Sequence, residues 1–286
     1  MATSTDIEAF RGVLKSSKSI VAVVGAGLSA ASGIPTFRDF GGLWNSYDPL
    51  EFSTPQGFLA DPSQVWQFYH QLRELSLHAT PNAGHIALAV LCVPENLRIV
   101  APLARFTIIT QNIDGLDICA LKEVIAKRVQ DHHFVAPLST SQIFEIHGRV
   151  VDTLCTVCGH RESRTESPLC QALKNVPFRS ETYIPEEDLP HCCQPGCGGL
   201  LRPGVVWFDE VPHHLKDVYR VVDEADLCLV IGTSSTVSPA AGFAYEVTEH
   251  GGKVAIFNID SSDDERADFF FAGPCEETLP RIFFDS

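Results

Sequence analysis

Residues 20–39 read Ile-Val-Ala-Val-Val-Gly-Ala-Gly-Leu-Ser-Ala-Ala-Ser-Gly-Ile-Pro-Thr-Phe-Arg-Asp. The apolar run from Ile20 to Val24 predicts a buried parallel strand, which leads directly into Gly25 and Gly27. Glycine lets a backbone turn tightly and approach a phosphate, and the start of a following helix attracts anions. The stretch therefore predicts an anion-binding turn at the end of a strand.

Residues 25–30 also fit the Gly-x-Gly-x-x-Ala form of the dinucleotide fingerprint, a match that is weak by itself. In a Rossmann dehydrogenase, a second strand ends about twenty residues later in an acidic residue that binds the ribose. Here residues 41–49 read Gly-Gly-Leu-Trp-Asn-Ser-Tyr-Asp-Pro, which is typical of a loop. We therefore expect a dinucleotide to be held in a different way, which disfavours an oxidoreductase.

The composition limits the class of protein. The chain has 286 residues, enough for one large domain and a small one, and 45% of them are hydrophobic. A formal net charge of -15 argues against nucleic-acid binding and favours basic partners such as lysine-rich protein segments. Plain solubility explains the charge equally well. We expect a monomer.

Targeting and cysteine usage bear on the compartment. No apolar run approaches the ~18 residues that a membrane span needs. The first residues, 1–7, lack an apolar signal core and an arginine-rich presequence, so cytosol or nucleus is expected, with the mitochondrion as the alternative. Ten cysteines without a secretion signal predict thiols and metal ligands rather than disulfides.

Apolar patterns along the chain predict the fold class. Asp6 can cap a helix, because Ile7, Phe10 and Leu14 follow at helical spacing. Further predicted elements are helices over 64–77 and 83–91, a helical segment from Leu121, and strands over 106–110, 227–231 and 253–258. Strands that alternate with helices predict an α/β fold with a doubly wound, Rossmann-like parallel sheet. The carboxyl edge of that sheet, where ligands bind, would collect Gly25, Gln111, Gly232 and Asn258.

Two cysteine pairs, Cys155 with Cys158 and Cys192 with Cys197, can supply four thiolates to a tetrahedral zinc ion. Such a site has no open position for a reacting water, so it would be structural. Cys193 in place of Cys192 is also feasible, and a redox pair or unrelated thiols are further alternatives. We predict a zinc-ribbon domain over 150–203, inserted in a Rossmann-like domain of 1–149 and 204–286 with a partly helical cap segment over 40–90.

Three segments resemble the sirtuin family of NAD-dependent protein lysine deacylases: residues 32–39, residues 110–116 and the Glu-Ile-His-Gly sequence at 145–148. The cysteine pairs and Gly-Thr-Ser-Ser at 232–235 follow in the family's order, so the resemblance covers roughly residues 15–283. It implies NAD as cofactor, one structural zinc ion with Cys192 as a ligand, and acyl-lysine proteins as partners.

The resemblance also implies the chemistry. The carbonyl oxygen of the acyl-lysine attacks C1′ of the nicotinamide ribose, and nicotinamide leaves. His147 matches the family's base, which activates a ribose hydroxyl, and imidazole suits that task because it titrates near neutral pH. An ordinary surface or core histidine is the alternative. Asn112 and Asp114 match positions that orient the cofactor and an attacking water.

The resemblance implies a further set of cofactor residues. Phe37 would shield the reactive ribose carbon from water, and the segment from Gly232 to Ser234 would receive phosphate or ribose. The whole predicted set is Gly25, Ala26, Gly27, Ala30, Thr36, Phe37, Arg38, Trp44, Gln111, Asn112, Ile113, Asp114, Gly232, Thr233, Ser234, Asn258, Asp260 and Cys275.

Substrate contacts are implied by the class III branch of the family, in which a tyrosine and, three residues later, an arginine bind the carboxylate of succinyl- or malonyl-lysine. The tyrosine matches Tyr69, but the arginine position is Leu72. Arg73 could reach the acyl group instead, or it could be a solvated or salt-bridged side chain. We predict that neutral acyl groups such as acetyl are removed at least as well as succinyl. The predicted substrate residues are Tyr69, Leu72, Arg73, Val206, Phe208 and Val237, of which Val206 and Phe208 belong to a segment that pairs with the peptide as an added strand.

The chain departs from the family in two places. Asp117 stands where the family commonly has a histidine, and residues 118–142 contain extra material that we expect to lie outside the cofactor cleft. A mono-ADP-ribosyltransferase that uses the same residues and a non-enzymatic acyl-lysine binding module are the competing functions.

Overall fold

The computed structural model describes residues 3–36, 49–131, 142–176, 182–260 and 267–285. The chain divides into two compact units. The first consists of Met1–Gly33, Thr80–Ile146 and His214–Ser286, and the second of Ile34–Ala79 and His147–His213. The chain therefore passes from one unit to the other four times.

Short helices and strands alternate through the described residues. The strands are β1 (Ser19–Val24), β2 (Arg105–Thr110), β3 (Ile143–Glu145), β4 (Gly148–Cys155), β5 (Arg161–Ser163), β6 (Leu201–Val205), β7 (Leu227–Ile231), β8 (Lys253–Asn258) and β9 (Phe269–Ala272). The α-helices are α1 (Ile7–Ser16), α2 (Pro49–Phe52), α3 (Pro55–Ala60), α4 (Pro62–His78), α5 (Ala83–Leu91), α6 (Pro94–Val100), α7 (Leu116–Gln130), α8 (Leu215–Asp223), α9 (Ala240–Glu249) and α10 (Cys275–Phe284).

The first unit is built on a six-stranded sheet in the order β3-β2-β1-β7-β8-β9, in which every neighbouring pair is parallel. All six residues of β1 are buried. Successive side chains of a strand point to opposite faces, and accordingly Ile20 and Ala22 belong to one hydrophobic cluster whereas Val21 and Val23 belong to another. Both faces are therefore covered, and the predicted doubly wound sheet is confirmed.

Helices α1, α5, α7 and α10 supply the first of these clusters, and α8 and α9 supply the second. Asp6 caps α1 as predicted, since its carboxylate accepts the N–H groups of Glu8 and Ala9. Phe10 of the same helix makes edge contacts with Phe269 and Phe271 at centroid distances of 5.4 and 5.1 Å. Each such pair is worth ~0.5–1.5 kcal/mol beyond its burial.

The predicted elements are found close to their expected bounds. The helix over 64–77 extends over Pro62–His78, because Asp61 caps it and Pro62 fits the first turn. The helical segment predicted from Leu121 begins earlier, at Leu116, and ends at Gln130.

The second unit contains a three-stranded antiparallel sheet in the order β5-β4-β6. Helix α4 packs on β4 and β6, and Trp66 of this helix donates its indole N–H to the carbonyl of Leu201 at 2.8 Å. The unit also includes residues 34–79, which lie outside the predicted zinc-ribbon domain. The boundaries 150–203 for that domain stay a prediction.

No single helix among the described residues is long and apolar enough to cross a membrane. Ala83–Leu91 and Pro94–Val100 pass the length and composition test together, with a bend of 95° between them.

Candidate functional site

The carboxyl ends of β1, β7 and β8 are joined by backbone hydrogen bonds. Gly25 donates to the carbonyl of Ile231 at 2.9 Å, and Gly27 donates to that of Gly232 at 2.7 Å. Gly232 in turn donates to the carbonyl of Phe257 at 2.9 Å. The predicted glycine turn is therefore fixed against the end of β7.

Two amide side chains complete this edge. Gln111, just after β2, donates from Nε2 to Oγ1 of Thr233 at 3.3 Å. Asn258, at the end of β8, donates from Nδ2 to the carbonyl of Thr233 at 3.0 Å. The four residues expected at the carboxyl edge thus come together around one loop.

Glycine is required where the turns approach each other. A Cβ on Gly25 would lie 2.6 Å from Cβ of Thr233. A Cβ on Gly232, whose φ is +57°, would lie 2.5 Å from the backbone nitrogen of Leu28. A side chain at either position would collide with the other turn, so glycine is required for the two turns to form this closely packed cradle.

A buried hydrogen-bond network lies behind the glycine turn. Oγ of Ser29 donates to Oδ2 of Asp114 at 2.7 Å and accepts from Nδ2 of Asn112 at 3.2 Å. Nε2 of His85 lies 3.3 Å from the same hydroxyl, and Nδ1 of His85 accepts the N–H of Asn82. The proton of the neutral imidazole is therefore on Nε2, which donates to Ser29.

The protonation states in this network follow from burial. Burial lowers the pKa of His85 to about 4, so the imidazole is neutral near pH 7. Burial also raises the pKa of Asp114, while the N–H of Leu116 and the hydroxyl of Ser29 lower it. The Leu116 N–H lies 2.8 Å from Oδ1, so both oxygens of the Asp114 carboxylate have donors. The network thus fixes the orientation of Asn112 and Asp114.

Asp117 is buried on the first turn of α7. The pKa of its carboxyl is raised to about 7, chiefly by burial and also by the negative charges of Asp114 and Glu145, while a hydrogen bond from Thr110 lowers it. A carboxyl that is hard to ionise in the folded state favours folding at low pH. That contribution is lost as the pH rises from the pKa of the unfolded chain, about 4, to about 7.

We therefore expect Asp117→Asn to stabilise the protein at pH 8 and to change its stability little at pH 4. The amide is neutral at every pH, so it avoids a cost of ~1.4 kcal/mol for each unit of pKa shift. Urea unfolding of both proteins at the two pH values measures the effect. Equal stability of the two proteins at pH 8 would show that Asp117 ionises without cost.

His147 belongs to the second unit, where it directly precedes β4. Its side chain is half-buried, and its carbonyl accepts the N–H of Val206 at 2.9 Å. The predicted base and the predicted substrate segment are thus neighbours within this unit.

Trp207, between the two predicted substrate residues, is held by four groups. Its backbone N–H donates to Oε2 of Glu210 at 2.8 Å, and its indole N–H donates to the hydroxyl of Tyr69 at 2.9 Å. The guanidinium of Arg202 lies 3.6 Å from the centroid of the indole ring and makes a bidentate ion pair with Glu210. Phe58 packs against the ring at a centroid distance of 5.5 Å.

Arg73 is 1% exposed, so the interpretation of this residue as a solvated side chain is wrong. Its guanidinium donates to the backbone carbonyls of Val151 at 3.2 Å and Glu166 at 2.7 Å. These contacts tie α4 to the three-stranded sheet and argue against contact with an acyl group. Leu72 is half-buried.

The sulfur atoms of Cys155, Cys158, Cys192 and Cys197 all lie within 4.8 Å of one another. Sγ of Cys155 is 3.6 Å from that of Cys197, and Sγ of Cys158 is 3.7 Å from that of Cys192. Zinc–sulfur bonds of about 2.3 Å in a tetrahedron place the sulfurs about 3.8 Å apart. The donor set therefore fits a structural zinc ion.

Cys193 points away from this cluster. Its sulfur is exposed and lies 3.3 Å from Nη2 of Arg164. The cluster of four thiols contains Cys192 and not Cys193. The N–H groups of Cys158 and Val157 donate to Sγ of Cys155 and lower its pKa to about 6, which favours the thiolate that binds zinc.

A sequence model described as the Sir2 family matches residues 25–239. The chain belongs to the Sir2 family. It is 42% identical over 284 residues to the NAD-dependent protein deacylase sirtuin-5, mitochondrial, of Canis lupus familiaris, covering 97% of this chain and 84% of that protein. It is 40% identical over 285 residues to an NAD-dependent protein deacylase of Daphnia pulex, covering 97% and 96%. The crystal structure of a Sir2 homologue in complex with NAD superposes with a TM-score of 0.76, at 32% identity and covering 99% of this chain and 94% of that one.

Two groups expected in a Sir2 protein can be tested against the structure. The absence of side chains at Gly25 and Gly232 lets the two turns pack together at the carboxyl edge of the sheet, where a backbone of this kind can approach the phosphates of a dinucleotide. The four thiols fit zinc in number and spacing. The residues present therefore fit both groups.

The remaining predicted cofactor residues of this Sir2 chain differ in how far they are exposed to solvent. Ala30 is exposed, and Ala26, Thr36, Ile113 and Asp260 are half-buried. Ser234 pairs its hydroxyl with that of Thr236. The thiol of Cys275 is buried in the core and donates to the carbonyl of Phe257 at 3.7 Å. Phe37, Arg38 and Trp44 lie outside the described residues, as do the loop at 41–48 and much of the segment after α7.

Sequence reasoning missed Ser29 and His85 in this Sir2 site. Ser29 lies inside the glycine turn and is completely buried. His85 follows a Pro-Asn-Ala-Gly sequence at residues 81–84 and lies on the first turn of α5. The sequence signal that could have identified Ser29 as a site residue is its polar side chain among apolar neighbours in this turn.

Proposed function

We propose that this chain is an NAD-dependent protein lysine deacylase. NAD, water and an acyl-lysine protein are consumed, and nicotinamide, the unmodified lysine and 2′-O-acyl-ADP-ribose are formed. The observation that carries the proposal is the network in which Ser29 bonds both Asn112 and Asp114 directly behind the glycine turn. It holds an amide and a carboxylate in fixed orientations at the carboxyl edge of the sheet.

Each residue then has a role. NAD, when bound, supplies the ribose carbon that receives the acyl oxygen and the nicotinamide that leaves. Gly25 and Gly232 admit the phosphates, and Asn112 and Asp114 orient the nicotinamide ribose. His147 accepts the proton of a ribose hydroxyl.

The acyl-lysine peptide is proposed to pair with the segment of Val206 and Phe208. The N–H of Val206 is bonded to His147, that of Trp207 to Glu210, and that of Phe208 to the carbonyl of Ser53 at 2.8 Å. All three N–H groups are therefore used, so the peptide would donate its own N–H groups to carbonyls of this segment. Val237 stays a predicted contact.

The acyl group is proposed to be neutral. Leu72 provides no positive charge at the position where the class III branch has arginine, and the guanidinium of Arg73 is bonded to two backbone carbonyls. A hydrogen bond to a charged group is worth ~1.5–3 kcal/mol, which corresponds to about ten- to a hundredfold in kcat/KM. A succinyl carboxylate would lack that contribution here.

A panel of matched acetyl-, butyryl- and succinyl-lysine peptides with NAD tests both proposals through release of nicotinamide and the mass of the products. We expect acyl-ADP-ribose to form, with kcat/KM for acetyl at least equal to that for succinyl. Leu72→Arg should raise the succinyl-to-acetyl ratio about ten- to a hundredfold. Leu72→Met, which adds length without charge, is the matched control and should leave the ratio unchanged.

Two outcomes would contradict these proposals. ADP-ribosylated protein without acyl-ADP-ribose would identify a mono-ADP-ribosyltransferase instead. Strong succinyl preference that disappears in Arg73→Ala would mean that Arg73, not position 72, reads the acyl group.

The proposal extends to the compartment and the oligomeric state of the protein. Free cysteines and thiolate ligands in place of disulfides are typical of reducing compartments such as the cytosol, the nucleus and the mitochondrial matrix. We propose cytosol or nucleus, with the mitochondrion as the alternative because the Canis lupus familiaris relative is named a mitochondrial protein. We also propose a monomer without direct nucleic-acid binding, and the net charge of -15 supports the latter. Imaging of the tagged chain decides the compartment.

A further inference from the structure

The hydroxyl of Tyr69 is enclosed by its own unit. The side chain is 4% exposed, and its oxygen accepts the indole N–H of Trp207 at 2.9 Å. Oγ of Ser53 lies 3.3 Å from the same oxygen. Burial raises the pKa of Tyr69 to about 12, so the phenol keeps its proton, and a hydrogen bond joins its hydroxyl to that of Ser53.

Ser53 and Trp207 are themselves joined to the predicted substrate segment. The carbonyl of Ser53 accepts the N–H of Phe208 at 2.8 Å. Trp207 is the residue between Val206 and Phe208. The Tyr69 hydroxyl therefore connects α4 to this segment through two hydrogen bonds.

Two further residues, Glu210 and Arg202, hold Trp207 in place. Glu210 binds its backbone N–H, and Arg202, which is 8% exposed, covers its ring while holding both oxygens of Glu210. A charge-assisted bidentate pair of this kind has a fixed geometry. The indole N–H that reaches Tyr69 is thus held in one direction.

We propose that Tyr69 is a positioning residue, which fixes the peptide-binding segment through Trp207 and Ser53 rather than contacting the acyl group. This inference rests on the proposed function, in which the segment of Val206 and Phe208 binds the substrate peptide. Trp207 and Ser53, which form hydrogen bonds with the phenol, both lie within the second unit. A charged acyl group that approached the Tyr69 hydroxyl would have to compete with Trp207 and Ser53 for it.

Tyr69→Phe and Trp207→Phe test the proposal, because each removes one hydrogen-bonding group and retains an aromatic ring. A neutral hydrogen bond is worth ~0.5–1.5 kcal/mol, so we expect each change to raise KM for the peptide about two- to tenfold. The increase should be the same for acetyl, butyryl and succinyl peptides, with kcat and KM for NAD unchanged. The effects in the double variant should be less than additive, since the bond between Tyr69 and Trp207 is lost in both single variants.

The denaturant midpoints of the four proteins provide a second cycle that requires no activity. We expect each single variant to lower the midpoint and the double variant to lower it by less than the sum of the two single effects. If no acyl peptide releases nicotinamide, the proposed function fails while this stability cycle still tests the connection. A loss confined to the succinyl peptide in Tyr69→Phe, or additive effects of the two substitutions in the stability cycle, would overturn the proposal.

Discussion

His147→Ala should lower deacylation by at least two to four orders of magnitude, the usual contribution of a general base. The loss should appear in kcat, because the imidazole accepts a proton after both substrates are bound. His147 lies beside the substrate segment in the second unit, whereas the glycine cradle belongs to the first. Binding of NAD, measured by titration calorimetry, should therefore persist in the variant.

His250→Ala is the matched control, since His250 is exposed at the end of α9. This variant should keep wild-type turnover and NAD binding. Near-normal turnover of His147→Ala would remove the residue from the mechanism. Loss of NAD binding together with turnover would instead give it a structural role.

Cys158→Ser should prevent the second unit from folding stably. Cys155 ends β4 and pairs with Leu201 of β6, so the metal site closes the three-stranded sheet. Binding of structural zinc contributes on the order of 10 kcal/mol to folding in small modules, which is comparable to the whole stability of a domain. Loss of one ligand should cause precipitation or loss of tertiary structure, and a strong chelator should have the same effect.

Cys193→Ser is the control. Cys193 is next to Cys192 in the sequence, but its thiol lies beside Arg164 and outside the cluster of four cysteines. It should retain one zinc ion per chain by elemental analysis and unfold at the wild-type temperature. A Cys158→Ser protein that stays folded and active without zinc would refute the structural role of the site.

The parts of the site that sequence could predict are those with a local signal. The run from Ile20 to Val24 followed by glycines is fixed by neighbouring residues, and the position of the turn at the carboxyl edge follows from parallel pairing. The spacing of Cys155 and Cys158 likewise reflects a local turn. In each case the relevant physical constraint acts over a few residues.

The parts that sequence missed depend on residues far apart in the chain. The hydrogen bond between Ser29 and His85 joins the glycine turn to α5. No hydrophobic pattern in the sequence predicts a contact between two residues so far apart. Strand β3 has three residues, too few for an alternation to be recognised. Arginine usually lies on the surface of a protein. Arg73 is buried, and the hydrogen bonds from its guanidinium to the carbonyls of Val151 and Glu166 compensate for the loss of water.

The pairing of β1 in the sheet has a consequence for biosynthesis. Ile20 pairs with Leu227 of β7, so the ribosome must make most of the chain before the centre of the sheet can form. At ~5–20 residues per second, this delay is roughly 10 to 40 s. During that interval one edge of a strand that is entirely buried in the folded protein lacks its partner, which makes the nascent chain prone to aggregation. Any nonsense codon before Leu227 therefore yields a fragment in which β1 lacks its partner β7.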